Sequence, residues 1–97
     1  MSDSAPYGLV LKLRAQPGKR AELLQAMRLD PADLPGCRAY ILSADLSDPD
    51  ALWLTEYWDT KQAHDVAVEM PVIKDLTLRG RPFTAGLEVR AEVEPAF

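Results

Sequence analysis

From Tyr7 to Leu13 every second residue is apolar: Tyr7, Leu9, Leu11 and Leu13 share one face, while Lys12 and Arg14 fall on the other. A period of two with charged residues between predicts a half-buried strand. In the next segment, QPGKRAELLQAMR, Leu23, Leu24 and Met27 recur at helical spacing and Pro17 suits a first helical turn, which predicts a short helix. Pro31, Pro35 and Gly36 end it, and CRAYILSAD, with Tyr40, Ile41 and Leu42, reads as a second strand. Asp48-Pro49-Asp50 sets a proline in a turn position between two apolar runs, so this strand and ALWLTEYW are expected to form an antiparallel hairpin.

A second helix is expected from Asp59 or Thr60, where Asp59 can cap the free amides and Gln62 stands three residues on. Its apolar stripe is Ala63, Val66, Ala67 and Met70. Pro71 interrupts it, and VIKDLTL continues for a helical turn or two before Gly80 and Pro82. PFTAGLEVRAEVEP closes the pattern as a fourth strand. Phe83, Ala85, Leu87, Val89, Ala91 and Val93 are assigned to one face, and Thr84, Glu88, Arg90 and Glu92 to the other.

The order βαββαβ specifies an α+β, ferredoxin-like fold: a four-stranded antiparallel sheet with both helices on one face. It forms a single domain over residues 1–97, with its core between about 7 and 93. Strand three is apolar on both sides, since Trp53, Thr55 and Tyr57 point opposite to Leu52, Leu54 and Trp58. One helical layer covers only one of those sides. A second copy of the chain is the simplest cover for the other, so a homodimer is expected, with Trp53, Tyr57, Leu87 and Val89 between two facing sheets.

Composition narrows the function. A formal net charge of −4, with eleven Lys and Arg scattered among fifteen acids, opposes binding to a phosphate backbone, so no nucleic-acid partner is expected. No apolar run approaches the ~18 residues that span a bilayer, so no membrane partner is expected either. The opening MSDSAPYG lacks the basic start and apolar middle of a secretory leader, and Cys37 alone makes no internal disulfide, which together point to a reducing cytoplasm. One cysteine and the distant His64 fall short of the three or four ligands of a zinc site, so no metal is expected.

The segments PGKRAELL, LPGCRAYILSAD and DPDALWLTEYWDTKQAH together resemble the antibiotic biosynthesis monooxygenase family of the dimeric α/β-barrel superfamily, over roughly residues 7 to 92. The resemblance implies an oxidoreductase without metal or flavin, in which a phenol or hydroquinone is deprotonated and its anion passes an electron to dioxygen. It also implies that no cofactor is needed. Haem is disfavoured, because the positions where haem-degrading relatives carry an axial histidine hold Val72, Leu76 and Thr77. Trp58 matches the family tryptophan at the end of strand three, and His64 aligns with a titratable tyrosine of the actinorhodin-type oxygenase, while Leu54 stands where that enzyme has an asparagine.

The candidate catalytic residues are therefore His64 and Glu56, with Trp58, Leu54, Ala67 and Val68 as the substrate-binding wall. His64 borders the apolar side of its helix and is either the base or a half-exposed helix residue. Glu56 sits among apolar neighbours, where a carboxylate must find a partner or change its pKa. It is either a base or a structural group holding Arg38, a backbone amide or a helix end. Trp53 and Trp58 equally suit core or interface anchors, and Tyr40 and Tyr57 are assigned to the sheet and dimer. Two functions stay open: an oxygenase acting on a small aromatic, and a non-catalytic dimeric module that binds a small apolar ligand or serves a stress response.

Overall fold

The computed structural model describes residues 5–96; most of the opening read above for a leader, residues 1–4, lies outside them. Strands β1 (Tyr7–Ala15), β2 (Cys37–Ala44), β3 (Ala51–Trp58) and β4 (Thr84–Val93) form one antiparallel sheet in the order β2-β3-β1-β4. Helices α1 (Arg20–Ala26), α2 (Lys61–Ala67) and α3 (Pro71–Gly80) cover one face. This is the ferredoxin-like α+β arrangement that the βαββαβ order predicts. Among the described residues no helix is long and apolar enough to cross a membrane.

The β3 alternation decides what lies beneath the helices. Ala51, Leu52, Leu54, Glu56 and Trp58 are buried while Trp53, Thr55 and Tyr57 are half-buried on the uncovered face. One core cluster joins Leu52 and Leu54 to Leu23, Met27 and Leu76; a second joins Trp58 to Tyr7, Leu9, Leu34 and Ala67. On the uncovered face the register aligns Val10, Ile41 and Thr55, and also Gly8 with Tyr57 and Val93. Gly8 is needed there, because a Cβ would stand 2.6 Å from Val93 and 2.7 Å from the Tyr57 ring.

Four local expectations change. Pro17 lies in a turn before α1, not in its first turn: Gly18 takes φ 76° and its amide donates to Asp50, so the chain must reverse before the helix starts at Arg20. Thr60, not Asp59, caps α2, accepting from the Ala63 amide at 3.0 Å, and Asp59 takes Arg38 in an exposed ion pair. Val66 is 60% exposed, because the seven-residue α2 turns Ala63 and Ala67 inward and Val66 falls on its outer side.

The fourth change concerns the edge strand. Lys12 pairs with Val89 and Leu13 with Leu87, leaving Glu88 as the extra residue of a bulge; a second shift follows at Ala85. Leu87 therefore shares the helix-side face with Leu13, at the sheet edge where it stays 53% exposed, and Val89 the uncovered face, so the register separates Leu87 from the sheet-to-sheet interface expected for both. Glu88 instead joins Lys12 and Arg14 on the open side.

Candidate functional site

Between the sheet and the α2–α3 layer lies a partly open cavity of about 180 Å³, with the exposed Val68 and Thr77 on its wall. The even-numbered residues of β3 supply Leu54, Glu56 and Trp58; α2 and the residue after it supply His64, Ala67 and Val68. All six candidate site residues thus meet on one cavity. Leu11, Met27, Leu34, Ile73 and Leu76 close it with apolar surface, and Tyr40 and Thr77 add hydroxyls. Wider hollows outside, of about 410 Å³ beside Pro35 and α2 and about 690 Å³ beside α1, open to solvent and hold neither Glu56 nor His64.

Glu56 is the buried charged group of the core, 8% exposed. Arg38, one of the partners the sequence offered beside a backbone amide or a helix end, pairs with Asp59, and the indole N–H of Trp58 donates to Glu56 Oε1 at 2.9 Å. Both residues point inward from one strand, two positions apart, which is what lets them meet. Burial pushes the Glu56 carboxyl above its ordinary pKa, against opposing contributions from the indole hydrogen bond and the nearby His64.

The His64 side chain is only 12% exposed, less than a half-exposed helix residue would be. Its ring lies 5.3 Å from that of Tyr7 and stands edge-on to Trp58 at 5.6 Å, between centroids. Nδ1 is 3.0 Å from Asp65 Oδ1. The Lys61 hydrogen bond, then that of His64, holds the Asp65 carboxyl below its ordinary pKa. An ionised carboxylate only accepts, so Nδ1 is the ring nitrogen that donates to Asp65.

Two phenols that the sequence reading left out of the site frame it. Tyr7 donates to Glu92 at 2.8 Å, and burial, reinforced by that acid, pushes its pKa up to about 12. Tyr40 does not face the uncovered side assigned to it: paired with Glu56 across β2 and β3, it lines the cavity and donates to the Met27 carbonyl at 2.8 Å. Its burial, with Glu56 and Cys37 nearby, raises its pKa too. Both hydroxyls are therefore protonated and engaged at neutral pH. The register counted back from the Asp48–Asp50 turn carries the signal for Tyr40, since it sets Tyr40 opposite Glu56.

The model for antibiotic biosynthesis monooxygenases matches residues 6–76, which include β1, the β2–β3 hairpin, α2 and hence both candidate catalytic residues. The chain belongs to the antibiotic biosynthesis monooxygenase family. A candidate monooxygenase of this family from Chloroflexus aurantiacus is 37% identical over 96% of this chain and 95% of its own, with a TM-score of 0.88. One from Caulobacter crescentus, 23% identical over 98% and 93%, superposes with a TM-score of 0.84 and shares the fold. A Pseudomonas aeruginosa protein, 17% identical over the full length of both chains, shares it at 0.80. No curated protein matches the chain.

Proposed function

We propose that this family member is a cofactor-independent monooxygenase acting on a small phenol or hydroquinone, with His64 as base. The observation that carries this reading is the meeting of His64, Glu56 and Trp58 on one partly open, largely apolar cavity. An apolar cavity of about 150 Å³ accommodates benzene, so about 180 Å³ suits one aromatic ring rather than a fused polycycle. Nε2 of His64 takes a phenolic proton, and the aryloxide anion passes one electron to dioxygen. The ring radical and superoxide join in a new C–O bond, and the peroxide recovers the proton from His64. Loss of the hydrogen on that ring carbon with cleavage of the O–O bond releases water and leaves a carbonyl. Hydroquinone and dioxygen thus give hydroxyquinone and water. The protein's part is to hold the ring against Trp58, exclude bulk water and move one proton.

Non-catalytic binding is the second reading, favoured by the engagement of the Tyr40 hydroxyl with the Met27 carbonyl and of the Thr77 hydroxyl with the Ile73 carbonyl, which leaves few free polar groups at the cavity. Oxygen-electrode assays with single-ring hydroquinones separate the two. Turnover by the wild type and a loss of roughly a hundredfold in His64→Gln are expected. No oxygen uptake by the wild type would leave binding alone, and undiminished turnover in His64→Gln would move the base to Glu56 or the substrate.

The active unit under this proposal is a homodimer. What supports it is the uncovered sheet face, where Ile41 is 53%, Val89 38% and Val93 36% exposed around Trp53 and Tyr57.

A further inference from the structure

We infer that the cavity selects uncharged single-ring dihydroxy aromatics and excludes those that carry a carboxylate, an inference that rests on the cavity being the ring site proposed above. Among the described residues its lining includes one carboxyl group and no lysine or arginine. The one hydrogen-bond donor to Glu56 among the described residues is the neutral indole of Trp58, so no fixed cation offsets a second acid beside it.

Among the described residues, cations on the neighbouring elements stay off the cavity wall. Lys61 bonds Asp65 at 2.9 Å and sits over the Tyr7 ring, on the outer side of α2. Arg38 pairs with Asp59, and Arg90 lies near Glu92 on β4. Lys74 and Arg81 line an adjoining outer hollow that shares Val68 and Thr77 with the cavity, and neither cation lines the cavity itself. His64 is the cavity group able to acquire positive charge, and the Asp65 carboxylate already stands against its Nδ1. A ligand carboxylate entering the ring site would lose its hydration and meet Glu56 with no counter-charge, whereas a phenol or carboxamide of equal size carries its own donors and no charge. Charge, beyond shape, therefore sorts the ligands.

The experiment is calorimetric titration of the whole protein under nitrogen at about pH 8, where an ordinary imidazole is neutral. The probes are hydroquinone, 2,5-dihydroxybenzamide and the isosteric 2,5-dihydroxybenzoate. Hydroquinone and the amide are expected to bind within about tenfold of each other, and the acid at least about a hundredfold more weakly than the amide. Thr77→Lys sets a cation at an exposed position on the cavity wall and is expected to strengthen binding of the acid about tenfold without strengthening hydroquinone. An acid that binds as tightly as the amide, an amide as weak as the acid, a wild type that fails to bind hydroquinone, or a Thr77→Lys protein with no selective gain would each overturn the inference. Binding under nitrogen requires no turnover, so a protein that follows this order yet consumes no oxygen fails the oxygenase proposal alone.

Discussion

The two tryptophans of β3 each give an indole N–H to a carboxylate, on opposite faces of the same sheet, with opposite results. Trp58 donates to Glu56 at 2.9 Å beneath the helices, and the Glu56 pKa goes up. Trp53 donates to Asp45 at 2.8 Å on the open side, and the Asp45 pKa goes down. The hydrogen bond favours the ionised form in both. What differs is desolvation, which outweighs the bond at Glu56, whereas at Asp45 the Ser47 and Asp48 amides and the charge of Lys12 add to it. A contact of one geometry thus tunes an acid in either direction according to what surrounds it.

The largest effect that sharpens this contrast is truncation of each indole. Trp58→Ala should cost about 3–5 kcal/mol in urea denaturation, because Trp58 is fully enclosed, and Trp53→Ala only about 1–2 kcal/mol, because Trp53 keeps one side open. Equal losses would mean that the Trp53 face is also covered in solution, as the proposed homodimer would cover it. Next is Ile41→Glu, which places a charge on the uncovered face without touching the core. It should leave secondary structure intact and weaken the homodimer at least about a hundredfold by sedimentation, and an unchanged dimer would remove this face from the interface.

Trp58→Phe keeps a ring in place and deletes the donor to Glu56. A cost of about 1–3 kcal/mol is expected for the buried acid left without its partner, together with a further rise in the Glu56 pKa, read by urea titrations at several pH values. The smallest effects are the pH slopes. The carboxyl of Glu56 titrates above its ordinary 4.5 in the folded chain, so its contribution to stability is present below about that pH and is lost as pH rises through the folded value. Asp45 runs the other way: its contribution is present above 3.8 and is lost as pH falls through its lowered pKa. Glu56→Gln should flatten the first slope and Asp45→Asn the second; slopes left unchanged would detach each carboxyl from its assigned shift.

Much of this molecule is readable from periodicity. The alternation of β3 separates Trp53 from Trp58 without any structural knowledge, and the turn at Asp48–Asp50 places β2 beside β3. The resemblance selected Trp58 and His64, and both line the cavity. Hidden from periodicity were the features that depend on partners distant in sequence or on register. Glu56 was visible as an acid in an apolar row, but its choice of Trp58 over Arg38 depends on how Arg38 reaches Asp59. The closeness of Tyr7 to His64 joins β1 to α2 across more than half the chain, and no local pattern encodes it. The β4 bulge is equally silent, because a regular apolar alternation looks the same whether or not the ladder slips.

That bulge bears on how such a chain tolerates change over generations. Glu88 is the residue the ladder steps over, with Val89 and Leu87 already opposite consecutive positions of β1. Losing that one codon would remove this bulge, leave the shift at Ala85 in place and move no other strand residue to the opposite side. What would vanish is the acid shared by Lys12 and Arg14. A one-residue indel at this point is a way to add or erase a surface charge while the reading of both faces stays in frame, so descendants of this strand can differ in length by one without differing in fold.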